Sequence, residues 1–384
     1  MLKVAIIIER AEIGLGGAER SVSELTAELR RQGVDATILA AKGTASENTV
    51  ILCQDYAGKR VPLKAFENAL RVHLEHNAYD IVHSTLPLTI ANVYQPRGGS
   101  YKEAMLQNIA SYDCPCQRVL KRCTHQLNLK RTQYLNAEQK LCAPGNQVVV
   151  AALSNYVKEA FQKHYHLPDD RIAVIPNGID TRMQPDEKTA GEIKATILKS
   201  ITIPEGKTPV FFLFAANNPR LKGIDPLLAA MENLRNQPPA NTYPVLVAAG
   251  TKPIKTNLEN VVSLGALDGI RNALSVCDVA VLPTWYDPCS RFILEALAMG
   301  KPVITTRFNG ASERYEHQKH GIILDRPDNV TELTEALRTF SDRDKIELAS
   351  KTIVDDNLKN QVSIAKHVKL LIGLYETILR QREK

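Results

Sequence analysis

The sequence predicts an α/β protein made of two doubly wound, parallel-sheet domains, and three observations predict it. Short apolar, β-branched runs alternate with segments of helical period, the order that parallel sheets with crossover helices require. The alternation stops after Ile175 and restarts at Val210. At 384 residues the chain also exceeds the length at which one hydrophobic core stops growing, so two domains are expected.

Taken in order, Val4 to Ile8 reads as the first strand and Glu19 to Arg31 as the helix that follows it. Strands are expected at Ala36 to Ala40, Ile81 to Ser84, Val148 to Ser154 and Ile172 to Ile175, with a helix over Asn155 to His164. Pro176 to Glu205 carries Pro-Asn-Gly, a Pro-Asp turn and few large apolar residues, and reads as a linker. The second unit opens with strand Val210 to Ala215 and helix Asp225 to Arg235. Further strands fit Val245 to Ala249, Val261 to Leu264, Val279 to Pro283 and Pro302 to Thr306. The last helix, from Val362 to Arg382, places Ile364, Val368, Leu371, Leu374 and Tyr375 on one face, as a helix returning to the first domain would. The expected domains are residues 1–180, 181–361 and a terminal helix at 362–384. Open parallel sheets bind ligands at the carboxyl ends of their strands, so a cleft between the two domains is the expected site.

Composition narrows the function classes. With 44% hydrophobic and 23% charged residues the chain is a folded protein, and a formal charge of +6 is too mild to imply nucleic acid. The apolar run after Met1 is shorter than a signal peptide's, and no run approaches the roughly 18 apolar residues of a spanning helix. Seven cysteines, an odd number, fit reduced thiols in a cytoplasm. Cys114, Cys116, Cys123 and Cys142 gather near His125, but their spacing matches no paired CxxC pattern, which favours free thiols over a zinc site.

Three stretches carry chemistry. Gly14 to Arg20, with Gly16 and Gly17 at its centre, links the first strand to a helix and offers free backbone N–H groups to a phosphate. A dinucleotide would need an acid after the second strand, where Ala40, Ala41 and Lys42 stand instead. A tight turn with no ligand is the alternative. After Ala215, the run Asn217 to Gly223 presents Arg220 as a planar fork and Lys222 as a point charge, a pair suited to a diphosphate or else a solvated basic loop. In Pro283 to Thr305, Asp287 precedes Glu295 by eight residues, with a helix N-terminus at Cys289 to Arg291 and Glu295 about two turns into that helix. Two carboxylates with N–H groups between them suit the hydroxyls of a sugar and a ribose, and a helix with a capping Asp is the alternative.

The stretch from Asp287 to Glu295 resembles the E-x7-E motif of retaining glycosyltransferases of the GT-B fold, glycosyltransferase family 4, with Asp287 where the motif has its first Glu. Gly16 to Arg20, Ile175 to Asp180, and Arg220 with Lys222-Gly223 match the same family in the same order. Phe161 to Tyr165 further resembles the bacterial glucosyltransferases of the lipopolysaccharide core. The resemblance implies two Rossmann-like domains facing an interdomain cleft, and transfer of a hexose, with retention, from a UDP-linked nucleoside diphosphate sugar. It implies that Glu295 binds ribose hydroxyls, that Asp287 contacts the donor sugar, and that N–H groups of Ser290 and Arg291 hold sugar hydroxyls. Arg220 and Lys222 would bind the diphosphate, Gly16 and Gly17 would approach it, and backbone groups of Leu264 and Gly265 would meet the base. No metal and no further cofactor is implied, because cations and helix dipoles replace the divalent ion. Where the family carries a first-domain histidine at the reacting sugar, this chain has Tyr94 to Gly99, which nominates Arg97, with His83 as a second candidate.

Residues 97–140 hold eight basic and three acidic side chains, a local excess of five, together with Met105, Leu106, Ile109, Val119 and Leu120. Such a surface fits anionic lipid or a glycolipid, on the inner face of the plasma membrane, as well as a plain solvated face. The acceptor implied is a lipid-linked or cell-envelope glycan. Two other classes stay open: a sugar-nucleotide epimerase, whose acid and histidine set is not found here, and an inactive nucleotide-sugar-binding module, which Asp287 and the missing histidine would suit.

Overall fold

The computed structural model describes residues 1–12, 17–56, 60–126 and 128–382, and for 17, 18, 125 and 126 the backbone alone. The chain divides into two compact units, one of residues 1–106, 116–180 and 364–384, the other of 107–115 and 181–363. The nine residues Gln107–Pro115 thus pack with the second unit although they interrupt the first in sequence.

Among the described residues, the first unit holds strands β1 (Lys3–Ala11), β2 (Asp35–Gly43), β3 (Thr49–Ile51), β4 (Ile81–Ser84), β5 (Val93–Tyr94), β6 (Val149–Ala152) and β7 (Ile172–Val174). They form one parallel sheet in the order β3-β2-β1-β4-β5-β6-β7. The helices are α1 (Gly17–Arg31), α2 (Leu63–His76), α3 (Tyr101–Ala110), α4 (Pro115–Gln126), α5 (Leu129–Cys142) and α6 (Asn155–Tyr165). The side-chain period of two along β1 explains the layering. Val4, Ile6 and Ile8 pack beneath Leu25 and Leu29 of α1, whereas Ala5 and Ile7 face Phe66 and Leu70 of α2 on the other side. Both faces are buried, which is why the strand reads as a continuous apolar run.

In the second unit, helix α7 (Glu187–Lys199) precedes β8 (Thr208–Ala215), α8 (Ile224–Asn236), β9 (Thr242–Ala249), β10 (Val261–Gly265), α9 (Ile270–Val276), β11 (Val279–Leu282), α10 (Arg291–Ala298), β12 (Val303–Thr306), β13 (Gly321–Leu324), α11 (Val330–Thr339), α12 (Arg343–Asp355) and α13 (Leu358–Gln361). The strands form a parallel sheet in the order β10-β9-β8-β11-β12-β13. The final helix, α14 (Ile364–Arg382), belongs with the first unit and buries Ile364, Val368, Leu371, Tyr375 and Ile378.

Two local expectations are corrected. The stretch read as a linker contains α7, capped by Asp186, whose side chain accepts from Thr189 N, and anchored through Ala190, Ile193 and Ile197. Three apolar positions at helical spacing suffice in a segment that is otherwise polar. Glu295 is the fifth residue of α10, about one turn in rather than two, because the helix begins only at Arg291.

Candidate functional site

The strand order of the second unit reverses between β8 and β11: the chain runs outward through β9 and β10, then returns to the other side of β8. Crevices outside the carboxyl ends of strands at such a reversal are where open α/β sheets take ligands. Arg220 and Lys222 follow β8, and Asp287 follows β11. The sheet itself therefore brings together residues 65 positions apart.

Lys222 joins the two loops. Its ammonium donates to Asp287 Oδ2 at 2.6 Å and to the Tyr286 carbonyl at 2.8 Å. Behind it Trp285 N donates to Leu221 O at 3.0 Å, so the loops are stitched by backbone as well. Gly223 makes this approach feasible: its φ is +81°, and a Cβ there would stand 1.9 Å from the Pro283 carbonyl oxygen. Asp287 is held from the other side too, donating its N–H to Phe308 O at 2.9 Å and accepting from Gly310 N at 2.9 Å. Its Oδ1 accepts from Cys289 N at 3.1 Å.

Ser290 is the N-cap of α10, and its N–H donates to Asn309 Oδ1 at 3.1 Å. Glu295 is buried, with the guanidinium groups of Arg271 and Arg291 each 3.9 Å from its Oε1. Leu264 and Gly265 end the edge strand β10, where the Gly265 carbonyl accepts from Gly250 N at 2.8 Å. Arg220 is half-buried. Its guanidinium lies 3.5 Å from the Tyr112 ring centre and donates through Nη1 to Asn108 O at 3.2 Å and to Ser111 Oγ. Burial lowers its pKa, offset by Tyr112, Asp225 and Asp113, and an arginine so placed stays cationic.

Sequence reasoning nominated Arg220, Lys222, Asp287, Ser290, Arg291, Glu295, Leu264 and Gly265, and all of them lie in the second unit, at its strand ends or at the start of α10. It missed Arg271, which also donates to Met183 O at 2.9 Å, and Asn309, whose side chain serves both Ser290 N and Ala311 N. The Asn309-Gly310 turn after β12 was the available signal for the second; nothing local marks Arg271.

In the first unit, Gly16 lies outside the described residues and Gly17 opens α1. His83 is fully buried in β4, with Nδ1 2.6 Å from Tyr375 Oη, and it lies in the interior rather than at an accessible strand end. Burial, then the charge of Arg97, then His367, hold its pKa well below the ordinary imidazole value, so the ring is neutral. Arg97 reaches Asn177 Oδ1 at 3.3 Å through Nη1, and the same oxygen accepts from Gly178 N. That contact joins the segment after β5 to the Pro-Asn-Gly turn and removes Arg97 from the basic surface. On α4, by contrast, Cys116, Val119, Leu120 and Cys123 line one exposed face, Val119 and Leu120 at 60% and 61% exposure, beside Arg118, Lys121 and Arg122. Cys114 is also exposed and Cys142 is buried; among the described residues no group of three or more His, Cys, Asp or Glu is placed to hold a metal ion. No helix among them is long and apolar enough to cross a membrane.

Comparison with known proteins bears on the family and the fold. A model described as "Glycosyl transferases group 1" matches residues 208–343, and one described as "Glycosyltransferase Family 4" matches residues 15–183. An uncharacterised glycosyltransferase of Methanocaldococcus jannaschii, MJ1607, is 29% identical over 195 residues, 47% of this chain and 48% of that protein. The Escherichia coli UDP-Gal:alpha-D-GlcNAc-diphosphoundecaprenol alpha-1,3-galactosyltransferase is 27% identical over 232 residues, 58% of each chain. The chain therefore spans about half the length of these relatives. Among solved structures, WaaG, a glycosyltransferase involved in lipopolysaccharide biosynthesis, superposes with a TM-score of 0.72 at 16% identity, covering 97% of this chain and 99% of that one. Anabaena Alr3699/HepE in complex with UDP-glucose gives 0.67 at 16% identity, covering 98% and 100%.

Proposed function

Given that the chain belongs to the glycosyltransferases of group 1 and family 4, with their GT-B fold of two Rossmann-like domains, we propose that it transfers a hexose from a UDP-linked donor to a lipid-linked or cell-envelope glycan, retaining the anomeric configuration and without a divalent metal. The observation that carries this reading is the Lys222–Asp287 pair at the β8–β11 reversal, in the loop before α10, with Glu295 about one turn into that helix. A cation and an acid at hydrogen-bond distance divide naturally between the leaving diphosphate and the sugar. Lys222 and Arg220 balance the charge that develops as the anomeric carbon–oxygen bond breaks. Asp287, released from Lys222, accepts from sugar hydroxyls, while the N–H of Arg291 at the head of α10, and that of Ser290 once released from Asn309, donate to others. Glu295 binds the ribose, and backbone groups of Leu264 and Gly265 meet the base. From the first unit, Gly16 and Gly17 approach the diphosphate and Arg97 contacts the reacting sugar or acceptor. The acceptor hydroxyl attacks the face the diphosphate leaves, and its proton passes to the departing phosphate oxygen, giving the retained glycoside and UDP. The UDP-glucose complex of the Anabaena neighbour supports the donor class, and the diphosphoundecaprenol substrate in the name of the E. coli relative supports a lipid-linked acceptor.

Calorimetry with UDP tests the site. Wild type is expected to bind UDP in EDTA, and Glu295→Ala and Lys222→Ala each to bind it more weakly with unchanged circular dichroism. Unchanged affinity in both variants overturns the assignment, as would an absolute need for magnesium or manganese in transfer. The anomeric proton coupling of the product decides retention.

The exposed face of α4 favours a membrane-side acceptor at the inner face of the plasma membrane. Apolar Val119 and Leu120 flanked by Arg118, Lys121 and Arg122 match an interfacial helix, in which each basic residue near an anionic surface contributes about 1 kcal/mol. Cosedimentation with vesicles should rise with anionic lipid, fall with salt, and be lost in a Val119→Ser, Leu120→Ser, Lys121→Ser, Arg122→Ser variant. Wild type that ignores anionic vesicles at low salt points to a soluble acceptor.

A further inference from the structure

Arg220 is bound at the end of a helix in a way that its place in the loop after β8 does not require. Asn108 is among the last four residues of α3, whose carbonyls have no partner further along the helix. Its oxygen accepts from Ser111 Oγ at 2.8 Å and from Arg220 Nη1 at 3.2 Å. Ser111 Oγ accepts in turn from the same Nη1, and the Tyr112 ring covers one face of the guanidinium at 3.5 Å. A hydrogen bond with Tyr112 adds to the stacking and also steadies the charged guanidinium. The bonds to Asn108 and Ser111 both use Nη1, which turns the Nε–Nη2 edge, the one that meets two oxygens of a phosphate in a fork, away from the helix end. Residues 107–115 pack with the second unit, so the contact is internal to the unit that carries the rest of the donor residues.

We propose that Tyr112, together with Ser111 and the Asn108 carbonyl, is a positioning element for the donor, fixing the guanidinium of Arg220 so that its remaining edge is presented to the diphosphate. The inference rests on the reading of Arg220 as a diphosphate ligand and adds the residues that orient it. An unheld arginine samples many rotamers, and a ligand that uses it must first order it. With Nη1 fixed twice and one face stacked, that ordering is complete before the ligand arrives. The C-terminal end of α3, where the helix dipole is negative, favours a cation there. Serine and tyrosine at the end of a helix carry no sequence motif, so only the folded chain connects them to Arg220, 109 and 108 positions away.

The test is UDP affinity by calorimetry and donor KM against kcat, for wild type, Tyr112→Phe, Tyr112→Ala, Arg220→Ala and the double variant Tyr112→Ala/Arg220→Ala. A stacked cation on an aromatic ring predicts that Tyr112→Ala weakens UDP binding about five- to twentyfold and raises donor KM in proportion, with a smaller change in kcat. Tyr112→Phe keeps the ring and loses only the hydroxyl's bond to Arg220, so its affinity should lie between those of wild type and Tyr112→Ala. Once Arg220 is alanine, adding Tyr112→Ala should change nothing further. Equal or tighter UDP binding by Tyr112→Ala, at unchanged circular dichroism, overturns the proposal; tighter binding would make the contact a restraint on Arg220. So would an equal loss on the Arg220→Ala background, since Tyr112 would then act through another group. Wild type that does not bind UDP, or Arg220→Ala that binds it like wild type, instead overturns the parent reading that Arg220 is a donor ligand.

Discussion

Both units carry charged groups away from bulk water, and they hold them differently. In the second unit Lys222 and Asp287 form a pair whose side chains keep 20% and 15% exposure, on loops that follow strands. In the first unit Glu138 of α5 has no exposure and accepts from Tyr94 Oη at 3.1 Å, Ser100 Oγ at 3.4 Å, Tyr101 N at 2.9 Å and Tyr165 Oη at 2.6 Å. The donors come from β5, the start of α3 and the end of α6, so one carboxylate fastens three elements to a fourth. A half-open pair can exchange partners with a ligand, because water and ligand can reach both members. A sealed group with four donors has nothing to exchange with, and its task is to hold the fold. Position relative to solvent, more than residue type, separates the two.

The largest effect expected from breaking this contrast is on transfer. Lys222→Ala removes the cation proposed to meet the developing charge, and losses of about 100- to 1,000-fold are typical for a preorganised electrostatic partner. Stability should barely move, since Asp287 keeps its bonds to Cys289 N, Phe308 O and Gly310 N. A steady-state assay beside a urea melt reads both. A variant that unfolds early, with residual activity scaling to folded protein, would show that the pair is structural like its counterpart.

Glu138 should behave the opposite way. Burial raises its carboxyl pKa to about 7 against the pull of its four donors. The native state therefore keeps a proton that the unfolded chain releases near the ordinary carboxyl value. Between about pH 4.5 and about pH 7 the native state binds more protons than the unfolded state, so stability falls as pH rises across that window and is flat above it. A shift of this size corresponds to a loss on the order of 3 kcal/mol. Urea midpoints measured from pH 5 to pH 8 should decline in wild type relative to Glu138→Gln, which cannot ionise at that position, because His83 titrates in both proteins and cancels in the difference. A wild-type profile parallel to that of Glu138→Gln would mean that the four donors hold the carboxylate ionised throughout.

What was legible in the sequence follows the same division. Core strands such as Val4 to Ile8 and Val279 to Leu282 announce themselves because both sheet faces are covered and the apolar run is continuous. Asp287, Ser290 and Glu295 could be grouped because they lie on one loop and one helix. Helix α7 was missed because its buried stripe is only Ala190, Ile193 and Ile197. Arg97 and Glu138 were counted as charges of a basic surface, and the fold instead ties Arg97 to Asn177 and buries Glu138. Tyr112 on Arg220 and Tyr375 on His83 join residues 108 and 292 positions apart, and no local pattern encodes such a pair.

The smallest expected effect concerns that last contact. Tyr375 Oη is 2.6 Å from His83 Nδ1, both side chains are fully buried, and His83 Nε2 has no hydrogen-bond partner among the described residues. Because burial and the neighbouring Arg97 keep the imidazole neutral, the contact is a hydrogen bond between neutral groups, not an ion pair. Tyr375→Phe keeps the ring packed in the interface between α14 and the sheet but leaves Nδ1 unsatisfied too, which costs about 1–2 kcal/mol. The urea midpoint should drop accordingly, while UDP affinity and turnover per folded molecule stay at wild-type values, since neither Tyr375 nor His83 has a part in the transfer proposed above. A phenylalanine variant that keeps its stability but loses turnover would return His83 to the reaction, with Tyr375 as the group that sets its tautomer, and the sealed interior of the first unit would then have a catalytic use.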